Sequence, residues 1–412
     1  MAVLGVDFGT SNSAVGMAVG GRPHIIPLEP QETTLPTAVF FDFETRQAVY
    51  GRRANAALIA GDEGRYMRAL KSLLGTSLMR EKRKFMRESM DFVTVVGRFL
   101  AEMKQRAETA TGQTFDRALS GRPVLFHSSD PVRNAQALID LKDCYLAAGF
   151  ADVQFMAEPE AAALANRAVL DTGDVGLVVD IGGGTSDFTL FRQGAGMGID
   201  ILASHGQRIG GTDFDRALSV AFVMPELGMG TSIRHAFGDR THIAPNAIFN
   251  DLATWQKIPF LYAPETRRAA QELARYAVDT ARLNRLVTVL GEEVGHDVAF
   301  AVEAAKISAN RGDAAVPEID LGMVEPGLRL PLYPLAMTAT LSEMVNSIGD
   351  AAEATLVQGG VSPDQVNRLI FVGGSSLMQV VETALTSRLS RAHVHRGAAM
   401  TAIVEGLALA AG

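Results

Sequence analysis

The sequence predicts an α/β protein built from two related lobes. The prediction depends on two segments, VLGVDFGTSNSAVGM near the amino terminus and LVVDIGGGTSDFTLF in the middle of the chain. In each segment an apolar strand ends in an aspartate, Asp7 or Asp180. A glycine turn with hydroxyl side chains follows, and a second apolar strand leaves the turn. A layout that occurs twice predicts a duplicated lobe.

Elsewhere the chain alternates strand and helix patterns, as expected for an α/β fold. The first motif predicts strands over 3–7, 13–19 and 24–27. The remaining patterns predict, in chain order, mostly helix over 51–109, a strand over 124–127, helices over 131–148 and 158–170, mainly helix over 219–340, a strand over 369–372, and helices over 377–387 and 398–412.

These patterns suggest how the lobes divide the chain. We expect a first lobe over 1–172, with a variable subdomain at about 40–117, completed by about 388–412. The second lobe is expected over 173–387, with a subdomain at about 218–340. A chain of 412 residues is too long for one ordinary core, which agrees with this division.

Composition narrows the class of function. Hydrophobic residues make up 47% and charged residues 20% of the chain, which is typical of a soluble globular protein. The formal net charge of −8 disfavours a nucleic-acid partner and an anionic membrane surface. The single cysteine, Cys144, cannot form an intramolecular disulfide and fits a reducing compartment. Without a secretory signal or an apolar run of about 18 residues, we expect a cytoplasmic protein.

The two glycine turns are candidate phosphate-binding loops. Glycine lets the backbone approach phosphate oxygens, and exposed amides supply fixed positive dipoles. The alternative for either turn is a plain hairpin turn, but both follow an aspartate at a strand end. The familiar G-x-x-x-x-G-K-[ST] loop and the G-x-G-x-x-G dinucleotide fingerprint are absent from the sequence. The candidate phosphate contacts are Gly9, Thr10, Ser11 and Asn12, and Gly182, Gly183, Gly184 and Thr185.

Carboxylates near these turns indicate a divalent cation. Mg²⁺ prefers oxygen ligands and often keeps its waters, so Asp7 and Asp180 are candidates to hold its water shell. A further carboxylate, Asp187 or Glu158, is a candidate to orient a water for attack on a γ-phosphate. A turn cap is the alternative for any one aspartate taken alone.

The motifs together resemble a known family. DFGTSNS, AEPEAAALA, VDIGGGTSDF, RIGGTDFD, VEAAKIS and FVGGSS occur in the order found in the nucleotide-binding domain of DnaK-type heat-shock chaperones. That family belongs to the actin–hexokinase–heat-shock ATPase superfamily. The chain looks closest to the short bacterial branch exemplified by YegD. The resemblance implies a two-lobed actin-like ATPase fold with duplicated mixed β-sheet cores flanked by helices, and it implies ATP or ADP with Mg²⁺ as cofactors.

The resemblance also implies roles for single residues. Lys71 matches a lysine that reaches the γ-phosphate, and Glu158 a glutamate at the lobe interface. Asp180 matches a residue near the Mg²⁺ waters, and Asp187 a water-orienting carboxylate. The catalytic set implied is therefore Lys71, Glu158, Asp180, Asp187 and Thr185. Further nucleotide-binding residues implied are Gly210 and Gly211 near a hinge, Glu303 and Lys306 at the ribose and adenine, and Gly373, Gly374 and Ser375 facing the adenosine.

The sequence departs from the family pattern at several points. A proline-centred VPA-like segment is replaced by VLFHSSD, and Asn310 stands where the family has an adenine-side serine. We also expect the chain, which stops at Gly412, to lack the family's substrate-binding domain. A client protein or co-chaperone is an expected but unidentified partner.

Two other functions stay open at this point. One is a sugar or small-molecule kinase of the same superfamily, with Asp130 as its base. The other is a protein without hydrolytic activity, either a nucleotide-gated adaptor or an actin-like polymer.

Overall fold

The fold was obtained as a computed structural model that describes residues 2–127, 129–195, 198–235, 240–312, 316–396 and 400–412. The chain divides into two compact units. The first consists of Met1–Gly211 together with Met344–Gly412, and the second of Thr212–Glu343. The positions of the two predicted lobe boundaries stay a prediction.

The first unit contains two mixed sheets with the same strand topology. In each, an antiparallel three-stranded meander is extended by two strands parallel to its first strand. One sheet has the order Asp152–Ala157, Arg117–Arg122, Val3–Phe8, Asn12–Val19 and Arg22–Ile26, with the short strand Leu35–Pro36 paired to Asn12–Val19. The other has the order His393–His395, Arg368–Val372, Val175–Ile181, Ser186–Gln193 and Ile199–Gln207. The duplicated mixed-sheet core predicted from the repeated motif is confirmed.

Two helices made of small residues pack against both sheets. Glu158–Asn166 and Ala402–Ala411 cross so closely that a Cβ on Gly406 would lie 1.8 Å from the carbonyl oxygen of Ala161. Only small side chains permit this approach, which explains the alanine run in AEPEAAALA. The shared core contains Ala161, Ala162, Ala163, Leu170, Val178, Phe191, Ile370, Val372, Ala402, Ile403 and Leu407.

The other elements of the first unit surround these sheets. A three-stranded sheet has the order Ala48–Tyr50, Ala38–Asp42 and Gly64–Arg68, and Arg83–Phe85 pairs with Glu88–Met90. The remaining α-helices of this unit are Arg52–Ala60, Phe92–Thr111, Pro131–Ala147 and Gln379–Arg388; single 3-10 turns cover Leu70–Leu73, Ser77–Arg80, Arg167–Val169, Pro363–Gln365 and Gly374–Leu377. Helix Pro334–Gln358 belongs to this unit from Met344 onward.

The second unit is mainly helical, as predicted. Its α-helices are Gly211–Leu218, which begins at the boundary, Asn246–Leu252, Pro264–Tyr276, Thr280–Gly291 and Gly295–Arg311. A π-helical turn at Ser219–Val223 and 3-10 turns at Met224–Leu227 and Trp255–Phe260 connect them. Two small hairpins pair Ser232–Arg234 with Thr241–Ile243, and Glu318–Asp320 with Arg329–Pro331.

Two predictions of local structure were wrong. The strand predicted at 124–127 lies instead at Arg117–Arg122, because this short polar segment pairs on both sides with parallel strands. Its glycine-containing sequence carries little strand signal, and Gly121 packs against Glu158. The stretch over 51–109, predicted as mostly helix, also contains the strand Gly64–Arg68 and the hairpin of Arg83–Phe85 with Glu88–Met90.

Among the described residues, no helix is both long and apolar enough to cross a membrane.

Candidate active site

The two glycine turns of the repeated motif pack directly against each other. A Cβ on Gly183 would lie 2.5 Å from Ser11 Oγ and 3.1 Å from Thr10 Cβ. The second turn is closed by a hydrogen bond from the Gly182 amide to the carbonyl oxygen of Thr185, at 3.0 Å. Any side chain at position 183 would push the loops apart, so glycine is required there by close approach.

Most of the predicted phosphate and metal residues line one pocket between these turns. The pocket has a volume of about 90 Å³. Met400 and Ile403 also line it and were missed from the sequence, since an apolar side chain in a helix reads as ordinary core. The predicted residues that line it are Asp7, Gly9, Thr10, Ser11, Asn12, Lys71, Glu158, Asp180, Gly182, Gly183, Gly184, Thr185, Gly373 and Gly374.

Three further predicted residues lie behind the second turn. The Gly211 amide donates to the carbonyl oxygen of Gly182 at 2.9 Å. A Cβ on Gly210 would lie 2.5 Å from the Gly184 amide nitrogen, and one on Gly211 would lie 2.2 Å from Ser375 Oγ. These residues therefore shape the second glycine turn, although they do not line the pocket.

A buried ion pair lies at the floor of the pocket. Lys71 Nζ donates to Glu158 Oε1 at 2.6 Å, and both side chains are at most 8% exposed. Lys71 is carried by the 3-10 turn Leu70–Leu73, which is entered through Ala69 in the left-handed conformation with φ of 59°. Burial opposes protonation of the lysine, but the carboxylates of Glu158 and Asp7 outweigh it, so the pKa of Lys71 lies above its ordinary value.

Asp7 and Asp180, the aspartates at the strand ends, both have raised pKa values. Loss of hydration, reinforced by the Glu158 charge, raises the pKa of Asp7 from 3.8 to about 7. Burial, followed by repulsion from Glu158, Asp187 and Asp7, raises the pKa of Asp180 well above 3.8. The site is therefore short of positive charge.

Asp187 lies directly opposite Asp180 on the neighbouring antiparallel strand. Its Oδ1 accepts a hydrogen bond from the Val124 amide at 2.7 Å, while its buried Oδ2 has no hydrogen-bond partner among the described residues. Burial, followed by the Glu158 charge, raises the pKa of Asp187 to about 7. Asp187 is fully buried and is not among the residues that line the pocket, unlike Asp7 and Asp180.

The donor set fits a hydrated magnesium ion with a phosphate ligand. Among the described residues, no cluster of three or more histidine, cysteine or acidic side chains has the spacing to hold a metal directly. Asp7, Asp180 and Glu158 face one basic side chain of this pocket, Lys71, which leaves an excess of two negative charges when all are ionised. Mg²⁺ usually binds through one or two carboxylates, waters and substrate phosphates, which matches this arrangement.

The second unit contains the predicted adenosine residues Glu303 and Lys306. Both lie on helix Gly295–Arg311, but Lys306 pairs with Asp215, at 2.6 Å, and the pair is buried. The indole of Trp255 donates to the other oxygen of Asp215 at 3.3 Å. Sequence reasoning missed Asp215 and Trp255, although Asp215 ends the block RIGGTDFD, which was noted for its glycines.

Asp130, the alternative kinase base, has a structural role. Its carboxylate caps helix Pro131–Ala147 by accepting a hydrogen bond from the Arg133 amide at 3.0 Å.

Cys144 is fully buried on the same helix, and burial raises the pKa of its thiol, as expected for a structural cysteine.

Comparison with known proteins shows the family of the chain. The model of the family described as "Hsp70 protein" matches residues 3–240, more than half of the chain. The chain belongs to the Hsp70 family. It is 25% identical to a protein named chaperone protein DnaK from Nitrosopumilus maritimus, over 88% of this chain and 57% of that protein. It is 27% identical to a chaperone protein DnaK from Methanothermobacter thermautotrophicus, over 92% of this chain and 63% of that protein.

Membership in the Hsp70 family confirms the predicted family and the actin-like ATPase fold. The chain spans about three fifths of the length of the relatives it matches. Placement in the YegD-like branch stays a prediction.

Proposed function

We propose that this chain binds ATP and hydrolyses it slowly in a reaction that depends on Mg²⁺, as a chaperone-like protein. The observation that carries the proposal is the buried Lys71–Glu158 pair beside Asp7 and Asp180, at the meeting point of two glycine turns. Phosphate recognition by the turns and charge stabilisation by the lysine are the two requirements of phosphoryl transfer that the protein must supply. The slow rate is an expectation taken from the family resemblance alone.

In the proposed mechanism the chain positions groups rather than forming a covalent intermediate. The amides of Gly184 and Thr185, in the turn that the Gly182 amide closes, and the hydroxyls of Thr10 and Ser11 bind phosphate oxygens. Mg²⁺, when bound, neutralises phosphate charge, and Asp7 and Asp180 would hold it through its waters. Lys71 stabilises negative charge that grows on the transferred group.

The water-orienting role is assigned to Asp187. In this proposal its Oδ2, which is buried and lies outside the pocket lining, accepts a hydrogen bond from the attacking water, whose oxygen forms the new bond to phosphorus. The bond from phosphorus to the ADP oxygen breaks, and the proton of the water passes to the carboxylate before it is released to solvent. A pKa near 7 suits a group that accepts and returns a proton at neutral pH.

The adenosine is proposed to contact Glu303, Lys306, Gly373, Gly374 and Ser375. A client protein or co-chaperone is proposed as the macromolecular partner, and the cytoplasm as the location.

The kinase alternative receives no support from Asp130, whose carboxylate already caps a helix.

ATP turnover by the purified chain tests the proposal. We expect slow release of ADP that requires Mg²⁺ and falls at least about 100-fold in Lys71→Ala, because a fixed transition-state charge is lost. Lys142→Ala is the matched control, since Lys142 is exposed on helix Pro131–Ala147. Tight ATP binding without turnover would make the chain a nucleotide-gated adaptor, nucleotide-dependent pelleting would favour a polymer, and absence of binding would refute the proposal.

A further inference from the structure

The turn that carries Lys71 is short and lies between two residues with left-handed backbone. Leu70–Leu73 is a single 3-10 turn, preceded by Ala69 with φ of 59° and followed two residues later by Gly75 with φ of 76°. The Leu74 amide closes it by donating to the carbonyl oxygen of Lys71 at 3.2 Å. Hydrogen bonds of this type have poorer geometry than those of an α-helix, so contacts from outside the turn must help to hold it in place.

Asp140 holds the far end of this segment from helix Pro131–Ala147. The residue is 1% exposed, and its Oδ2 accepts a hydrogen bond from the Gly75 amide at 2.9 Å. Its Oδ1 accepts from Arg80 Nη2 at 2.8 Å and from Gln136 Nε2 at 2.9 Å. A buried carboxylate is costly unless its oxygens are paired, so these bonds favour one arrangement of the helix and the segment from Gly75 to Arg80.

Two other contacts fix the same segment. His127 Nε2 donates to the carbonyl oxygen of Leu74 at 2.7 Å. A Cβ on Gly75 would lie 2.3 Å from the carbonyl oxygen of Arg133, so the backbone here touches the first turn of the helix. The Leu74 carbonyl and the Gly75 amide belong to one peptide unit, which is therefore held at both of its polar groups.

We propose that Asp140 is a positioning residue for Lys71 in ATP hydrolysis. The proposal rests on the proposed function, in which Lys71 stabilises charge on the transferred group. A lysine side chain is a flexible four-carbon stem, and Glu158 holds its charged end at 2.6 Å. Asp140 holds the backbone from which that stem starts, through the amide of Gly75, four positions further along the chain.

The two anchors act on different ends of the lysine. In Asp140→Ala the Gly75 amide loses its acceptor, so the turn can shift while Lys71 stays paired with Glu158. A displacement of about 1 Å in a catalytic group can cost about 100-fold in rate. Because Glu158 and His127 remain, we expect a smaller loss, a fall in kcat of about tenfold. ADP affinity should change less than about twofold, since ADP lacks the phosphate that Lys71 is proposed to contact.

Asp143→Ala is the matched control. Asp143 lies on the same helix and accepts from Arg80 Nη2 at 2.6 Å, whereas the Gly75 amide donates to Asp140. This variant therefore weakens the ion pair with Arg80 and leaves the bond to Gly75 in place. We expect its kcat to stay within about twofold of the wild-type value.

Three measurements test the proposal. Turnover of saturating MgATP gives kcat, and equilibrium titration with MgADP gives the affinity. Hydrogen–deuterium exchange of the nucleotide-free chain reports local opening over residues 70–76, and exchange there should be faster in Asp140→Ala but not in Asp143→Ala. If urea unfolding shows that Asp140→Ala does not fold, Asp140→Asn replaces it. Asparagine keeps the shape but has one acceptor oxygen for the three donors, so the same changes should appear at smaller size.

The outcomes separate the positioning role from the proposed function. Wild-type kcat in a folded Asp140 variant, or an equal loss in Asp143→Ala, would overturn the positioning role. So would equal falls in kcat and ADP affinity, which indicate a general loss of structure. Absence of turnover in the wild-type chain would instead refute the proposed ATP hydrolysis, and the positioning role with it.

Discussion

Replacing Asp187 by asparagine should stabilise the nucleotide-free protein, and the gain should depend on pH. Asp187 is fully buried, and its pKa of about 7 exceeds the ordinary value of 3.8. Asparagine keeps an oxygen that can accept from the Val124 amide, while it removes a charge that faces Asp180. The change therefore removes mainly an electrostatic cost.

The magnitude follows from the difference between folded and unfolded pKa values. A carboxyl whose pKa is raised on folding contributes most to stability below pH 3.8, where both states are protonated. That contribution is lost as the pH rises toward 7, because the unfolded chain ionises first. The difference between 3.8 and about 7 corresponds to about 4 kcal/mol at 1.36 kcal/mol per pH unit. Asp187→Asn should recover most of this above pH 7 and about a third of it at pH 5.

Urea unfolding of the nucleotide-free protein at pH 5 and pH 8 measures this difference. Asp62→Asn is the control, because Asp62 is exposed and its change should be neutral at both pH values. A gain of the same size at both pH values, or a loss at pH 8, would show that the carboxyl is not under electrostatic strain. The same variant should lose ATP turnover, because its side chain can no longer take a proton from water.

Two further changes test the packing of the site. Lys71→Met should lower the free energy of unfolding by about 3–5 kcal/mol, because it leaves Glu158 buried and unpaired. Adding Glu158→Gln should restore more than half of that loss, as measured by urea unfolding. Gly406→Ala should cost about 1–3 kcal/mol or more by the same measurement, because its Cβ would overlap the Ala161 carbonyl. Gly291→Ala, with open space around its Cβ, should be neutral or stabilising by up to about 1 kcal/mol, and equal effects of the two glycine changes would contradict this account.

The sequence predicted the parts of the fold that depend on local pattern. Apolar strands that end in an aspartate before a glycine turn were sufficient to predict the duplicated layout of the two sheets, and the helix predicted over 158–170 corresponds to Glu158–Asn166. Strand Arg117–Arg122 was missed, because its sequence RALSGR has neither the alternation of a half-buried strand nor the apolar run expected between two parallel neighbours.

Residues of the candidate site could be predicted from the sequence where a local motif carries them. Asp7, Asp180 and the glycine turns could be found from residue type and spacing alone. Lys71 could not, because its 3-10 turn brings it to a glutamate 87 positions away in the chain, and only the family resemblance singled it out. The pairing of Lys306 with Asp215 and that of Asp140 with Gly75 likewise join residues separated by 91 and 65 positions.

The duplicated motif has diverged at one position that matters for chemistry. Asp7 lies opposite Ala14 in the first sheet, whereas Asp180 lies opposite Asp187 at the equivalent place in the second. A carboxylate at position 14 would add a fourth negative charge close to a pocket whose described lining has one basic side chain. Burial, followed by repulsion from the existing carboxylates, already raises the pKa values of Asp7 and Asp180, so another carboxylate would favour protonated, non-binding forms. In the proposed mechanism the duplication can therefore supply two aspartates for the metal, but it can tolerate the water-orienting carboxylate on one side only.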